Sequence, residues 1–382
     1  MQLKRNIPVT ILTGFLGSGK TTLLNTLLRD NLLKDSAVII NEFGEVGIDH
    51  LLVEKADEGI ISLSDGCLCC TIRGDLVDTL AELIDKLQMG QINHLTRIII
   101  ETTGLADPAP ILQILLAHPI IIEALQLDGV ITTLDAVNGI KTLETYQEAV
   151  KQLAVADRVI ITKADMVEGK AHLADLKSKI TAINPRAEIY LSSDIEHHIG
   201  DLFRAGIYDI DNKTADVKRW LADEERLDHH NDAHNHDEHH HNHHHHDHSH
   251  HHDDVNRHSD KIRSFSLTHN QPVDYAAIEA FVDLMRASQG ERILRMKGIV
   301  QTIKRPDQPL IIHGVQGMFH PPKRLDNWPD NKPETRLVII GDGLDETYVR
   351  GLFDAFLNRP AIDTADRQAL SDNPLIIPGY KF

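Results

Sequence analysis

Three short segments carry residues able to hold a nucleotide. Gly14-Phe15-Leu16-Gly17-Ser18-Gly19-Lys20-Thr21 fits the pattern G-x-x-x-x-G-K-[ST], with the apolar run Val9–Leu12 before it and a helical pattern opening at Thr22 after it. Glycines at these places let backbone N–H groups close around a β-phosphate, and the helix N-terminus adds a favourable dipole. Lys20 is placed to reach the β- and γ-phosphates, and Thr21 to give its hydroxyl to Mg²⁺. Gly14, Gly17, Ser18, Gly19 and Thr22 complete the expected phosphate contacts. A chance Gly-rich turn is the bland alternative, and the correct flanking elements argue against it.

Two further segments extend this reading. Ile98-Ile99-Ile100-Glu101-Thr102-Thr103-Gly104 reads as a buried strand ending in a carboxylate and then a glycine. Glu101 is expected near Mg²⁺, through water, and Gly104 near the γ-phosphate. Val159-Ile160-Ile161-Thr162-Lys163-Ala164-Asp165 is a strand leading into a loop of the Asn/Thr-Lys-x-Asp kind. Asp165 can accept from guanine N1–H and the exocyclic amine. Adenine lacks that donor pair and would leave the carboxylate desolvated and unpaired, which is an efficient basis for rejecting it. Lys163 packs its stem on the purine in this reading, and Thr162, in place of the commoner Asn, weakens one polar contact. Together the three segments imply GTP and GDP as ligands.

The chain has three cysteines, and all fall in Gly66-Cys67-Leu68-Cys69-Cys70. Thiolates at this spacing form a soft claw suited to Zn²⁺ or another thiophilic transition metal, with a further ligand from elsewhere. Small buried hydrophobes are the bland alternative, but an odd number packed this tightly is no disulfide framework. Reduced thiols suit the cytosol. His229 to His258 holds sixteen of the 25 histidines, interspersed with Asp and Asn. Such a tract can bind several ions loosely. It does not name the metal, because Cu²⁺ and Ni²⁺ bind imidazole at least as tightly as Zn²⁺. An expression tag is excluded by its internal, interrupted character, and an inert solvated linker is the remaining alternative.

These segments need a frame. Residues 7–210 read as strands alternating with helices, with strands at Pro8–Leu12, Ala37–Ile40, Ile98–Ile100, Val130–Leu134, Val159–Thr162 and Glu188–Leu191. Helical patterns cover Lys20–Leu33, Gly74–Leu87 and Gly169–Ile183. This order predicts an α/β fold with a mostly parallel sheet covered on both faces. Residues 211–261 lack the apolar side chains to offset ordering entropy and read as a disordered linker or insertion. From Ile262 the order is strand (Ile262–Leu267), helix (Tyr275–Met285), strands (Ile293–Ile299, Leu310–His313, Leu337–Ile340) and helix (Glu346–Leu357), a smaller α+β domain with helices on one sheet face. The expected division is 1–210, 211–261, 262–360 and a tail at 361–382. A length of 382 residues allows two domains of roughly 100–200 each. The net charge of −18 excludes a basic nucleic-acid-binding stripe. No apolar run is long enough to span a bilayer, and the polar start at Met1–Asn6 predicts no signal peptide.

With these motifs in order, including Asn41-Glu42-Phe43-Gly44-Glu45 between the first two, the sequence resembles the CobW-like branch of metal-handling P-loop GTPases. Residues 262–360 resemble the CobW C-terminal domain. The resemblance implies a P-loop NTPase fold and a GTPase that binds zinc, or sometimes cobalt, and delivers it to a client metalloprotein. It implies metal ligands beyond Cys67, Cys69 and Cys70 from Glu42 or Glu45, and His118 matches a histidine near the metal in relatives. Some relatives carry Glu immediately before Asn41, where this chain has Ile40. Glu42 or Glu45 can instead orient the hydrolytic water. Hydrolysis is expected to be slow, because no water-positioning Gln follows Gly104 and no arginine finger is evident; an unassisted GTPase turns over at roughly 10⁻⁴ s⁻¹. The competing readings are a metal-storage protein with a vestigial GTPase, and a GTPase assisting assembly of a cobalamin- or nickel-dependent enzyme. A homo-oligomer is left open.

Overall fold

The computed structural model describes residues 6–41, 61–62, 72–92, 94–167, 170–203, 262–329 and 332–357. Glu42, Glu45, Cys67, Cys69, Cys70 and the histidine tract lie outside the described residues.

The first part of the chain builds a seven-stranded sheet from β1 (Ile7–Gly14), β2 (Ser36–Asn41), β3 (Ile61–Ser62), β4 (Arg97–Thr102), β5 (Leu125–Asp135), β6 (Arg158–Thr162) and β7 (Glu188–Leu191). The strand order is β3-β2-β4-β1-β5-β6-β7, and every pairing is parallel. The helices between them are α1 (Lys20–Leu27), α2 (Ile72–Gln88), α3 (Ala109–Ala117), α4 (Pro119–Ala124), α5 (Gly139–Thr145), α6 (Gln147–Ala154), α7 (Lys170–Ile183) and α8 (Ile199–Leu202).

A parallel sheet covered on both faces needs apolar residues at successive strand positions. Ile98 and Ile100 of β4 join a core with Leu80 and Leu83 of α2 and with Leu112 and Leu115 of α3, whereas Ile99 joins Leu23, Leu24 and Leu27 of α1 on the opposite face. The same alternation puts Glu101, two residues after Ile99, on the α1 side.

The helices depart from the sequence expectation in two places. The helix expected over Lys20–Leu33 stops at Leu27; Asp30 accepts from Leu32 N at 2.8 Å and caps a separate 3-10 turn at Asn31–Leu33. Helices α3 and α4 carried no expectation. Six of the nine residues of α3 are buried, and a helix apolar all round gives no periodic signal.

The second part is an antiparallel sheet of β8 (Ile262–His269), β9 (Ile293–Thr302), β10 (Arg305–Val315), β11 (Met318–Phe319), β12 (Lys323–Arg324) and β13 (Thr335–Asp342). The order is β11-β10-β9-β13-β8, with β12 on β10. Helices α9 (Tyr275–Gln289) and α10 (Glu346–Leu357) pack on it through Phe281, Val349 and Phe353. Elsewhere the sheet meets the first part of the chain: Ile262, Leu294 and Ile340 join the core of Leu153, Val159 and Leu176, and Val315 joins the α3 core.

Candidate nucleotide and metal site

The three segments that the sequence singled out for phosphate and base converge at the carboxyl ends of β1, β4 and β6. Connections from β1 and β4 lead to strands on opposite sides of β1, namely β2 and β5, the kind of switch point where α/β sheets open a ligand crevice. The loop after β1 has Gly14, Gly17 and Gly19 at φ of 144°, 71° and 87°. Gly19, in the left-handed region, ends the loop and opens α1. Ser18 N donates to Phe15 O at 3.1 Å, and the buried Ser18 hydroxyl shares a 2.6 Å hydrogen bond with Thr133.

Lys20 is buried and donates from Nζ to Gly14 O at 3.0 Å and Phe15 O at 3.3 Å, so its ammonium lies across the inside of the loop. Thr21 Oγ1 donates to Glu101 Oε1 at 2.9 Å, joining the first turn of α1 to the end of β4. Thr22 is exposed on α1, and its carbonyl accepts from Thr26 Oγ1. Gly104 sits directly on the phosphate loop: a Cβ there would lie 2.6 Å from Leu16 N.

The loop after β6 reaches the same place. Thr162 Oγ1 donates to Ser18 O at 2.8 Å, and Lys163 Nζ donates to Gly17 O at 2.8 Å. Thr162, where the sequence suggested a weakened contact, is therefore a tether between the two loops. Asp165 is exposed on the 3-10 turn Ala164–Met166 that follows. Lys163 is held at φ 55° and also pairs with Asp135 Oδ2 at 2.7 Å. Burial pushes the Asp135 carboxyl up, but hydrogen bonds from Lys163, Val137 N and Asn138 outweigh it and hold the group below the usual range.

Sequence reasoning missed Asp135. Its position at the end of β5, level with Thr162 in register, was the available signal. Gln152 was also missed: it sits fully buried in α6 and donates to Gly104 O and Ala106 O. No local pattern marks it.

His118 joins α3 to α4 and is half-buried, with a buried Nδ1 that makes no hydrogen bond. Helix α2, which starts two residues after Cys70, packs on both α3 and α4. Among the described residues no three His, Cys, Asp or Glu side chains gather as a metal site, at His118 or elsewhere. Among these residues no helix is long and apolar enough to cross a membrane.

Comparison with known proteins matches residues 8–191 to the CobW/HypB/UreG nucleotide-binding domain and residues 262–357 to the cobalamin synthesis protein CobW C-terminal domain. The chain is 32% identical to the zinc chaperone YjiA of Escherichia coli, over 91% of this chain and 98% of that one. It is 31% identical to the zinc chaperone CobW of Pseudomonas aeruginosa, over 91% of each. The crystal structure of the Zn(II)-bound YjiA GTPase from E. coli superposes with a TM-score of 0.63 at 30% identity, covering 92% of this chain and 99% of that one.

Proposed function

The chain belongs to the CobW family, joining a CobW/HypB/UreG nucleotide-binding domain to a CobW C-terminal domain, and from that membership we propose that it is a GTP-binding, slowly GTP-hydrolysing metallochaperone. Its cargo is zinc, with cobalt as the second candidate, bound at Cys67, Cys69 and Cys70 and passed to a client metalloprotein in the cytosol. The observation that carries the nucleotide half is the convergence of two distant segments on one loop through three hydrogen bonds: Glu101 on Thr21, and Thr162 and Lys163 on Ser18 and Gly17.

The residues fit magnesium–GTP. Gly14, Gly17, Ser18 and Gly19 offer the loop's N–H groups, and the Lys20 ammonium moves from two loop carbonyls to the β- and γ-phosphates. The Thr21 hydroxyl and the Glu101 carboxylate, already 2.9 Å apart, are the groups that would hold Mg²⁺, directly and through water. The ion supplies neutralisation of the phosphate charge that builds during hydrolysis. Gly104 stands at the γ-phosphate. Asp165 reads guanine, Lys163 covers the purine and Thr162 fixes their loop.

The cysteine segment lies in sequence between the phosphate loop and Glu101, which supports coupling between GTP and zinc. Glu42 or Glu45 joins the thiolates or orients water, and His118, with its unbonded Nδ1, is the described candidate for a further ligand. Coupling must be reciprocal and is typically about 1–3 kcal/mol. Zinc affinity of the full chain, measured against a competing chromophoric chelator, should therefore differ roughly 5- to 150-fold between GDP and a non-hydrolysable GTP analogue. Lys20→Ala should abolish the difference and leave zinc binding intact. Zinc binding that is indifferent both to nucleotide and to Lys20→Ala would make the protein a metal store instead.

A further inference from the structure

Gln152 is a fully buried amide in a helix whose other buried positions are Ala149, Val150, Leu153 and Ala154. A polar side chain in such surroundings costs stability unless its hydrogen bonds offset the burial. Its Nε2 donates to Gly104 O at 3.2 Å and to Ala106 O at 3.0 Å. Its Oε1 is buried with no hydrogen-bond partner, so the hydrogen bonds of this amide go to one loop alone. The helix itself is anchored beside the site, because Thr132 Oγ1 of β5 donates to Gln152 O at 2.9 Å.

The preceding residue grips the same loop. Lys151 Nζ lies 3.2 Å from Asp107 Oδ2, while Asp107 Oδ1 accepts from Ala109 N, the first residue of α3. On its other side the loop rests on Leu16 of the phosphate loop, with no room at Gly104 for a Cβ. Residues Gly104–Asp107 are thus clamped between α6 and the phosphate loop.

We propose that Gln152 is a positioning residue that holds the Gly104–Asp107 loop against the phosphate loop and so makes the site distinguish GTP from GDP. This rests on the GTP-binding reading above. A triphosphate extends to Gly104, and a diphosphate ends short of it, so a loop held in place favours GTP and is indifferent to GDP. The two carbonyls need donors, which Gln supplies and a side chain of the same length without N–H groups does not.

Fluorescent GDP and a fluorescent non-hydrolysable GTP analogue, titrated against the full chain with Mg²⁺, test this. Gln152→Met should lower the GTP-to-GDP affinity ratio about tenfold, the loss expected for two neutral hydrogen bonds. GDP affinity should stay within about twofold. Lys151→Ala, at a partly exposed position, should lower the same ratio by roughly two- to threefold, as for an ion pair at the surface. An unchanged ratio in both variants, or equal weakening of both nucleotides, would overturn the assignment. If Gln152→Met loses GDP binding through misfolding, Lys151→Ala decides by the same criterion. A wild-type chain that binds neither nucleotide overturns the GTP reading itself, which separates that failure from the failure of Gln152.

Discussion

Two glycines of the site have different reasons for lacking a side chain. Gly14 has φ +144°, and a Cβ there would run into Thr133 Oγ1 and stand 2.7 Å from Ser18 Oγ. Gly104 has an ordinary φ, but its Cβ would meet the Leu16 backbone. Gly14→Ala therefore deforms the phosphate loop and should weaken GDP and GTP alike by tenfold or more, about 1.4 kcal/mol. Gly104→Ala moves a loop that, on the proposed reading, only a triphosphate would meet. It should weaken GTP about tenfold and leave GDP within twofold, both read by the same titrations. Equal losses for Gly104→Ala would remove that residue from the γ-phosphate. At this scale the shape of the loop was legible, because Gly14, Gly17 and Gly19 set a local backbone conformation that a short motif encodes. Asp135 and Gln152 were not: each acts on a residue 28 to 48 positions away, and only the fold brings those partners together.

The elements were legible where one face of an element is dry and the other wet, or where a strand is bounded by turns. Strand Glu188–Leu191 and helix Glu346–Leu357 have the ends the sequence indicates. Helix α3 was not legible because it is covered on more than one side. It lies between the parallel sheet, helices α2 and α4, and the β10–β11 hairpin of the second sheet, whose Val315 joins its core and whose Gln316 accepts from Gln113 Nε2 at 2.8 Å. The helix that follows the Gly104–Asp107 loop thus leans on residues some 200 positions later. Val315→Ala removes two buried methyl equivalents and should cost roughly 1.6 kcal/mol at about 0.8 per buried CH₂, with any cavity left behind adding to it. Urea denaturation followed by far-UV circular dichroism should show a lower midpoint at unchanged slope. An unshifted midpoint would mean that α3 does not lean on the hairpin.

Across the whole molecule, the two sheets are joined by buried charge as well as apolar contact. Asp157, just before β6, accepts from Val130 N through Oδ2 at 2.9 Å, and its Oδ1 receives Arg295 at 2.6 Å and Lys297. Burial opposes charge on Asp157, but Arg295 and Lys297 outweigh it and hold the carboxyl far below the usual range. Burial, with the neighbouring Arg295 charge, pulls Lys297 down to about 8. None of this was visible in sequence, where Asp157 and Lys297 read as two ordinary charged residues. His313 faces Lys297 across the β9–β10 ladder, and burial pulls it down to about 4, against the attraction of the Asp157 charge and with a small push from His320. The folded chain therefore keeps His313 neutral between pH 6.5 and 4, while the unfolded chain binds a proton there. Stability falls as pH drops through that window. The Asp157 contribution stays intact until pH falls below the ordinary carboxylate value near 3.8, so the two effects occupy separate windows. A shift from 6.5 to about 4 corresponds to about 3 kcal/mol. Wild type should lose that much more stability than His313→Gln between pH 6.5 and 4, measured by urea denaturation at fixed ionic strength, and above pH 7 the two curves should run parallel. Equal acid slopes in the two proteins would show that His313 takes up its proton without opening the junction between the sheets.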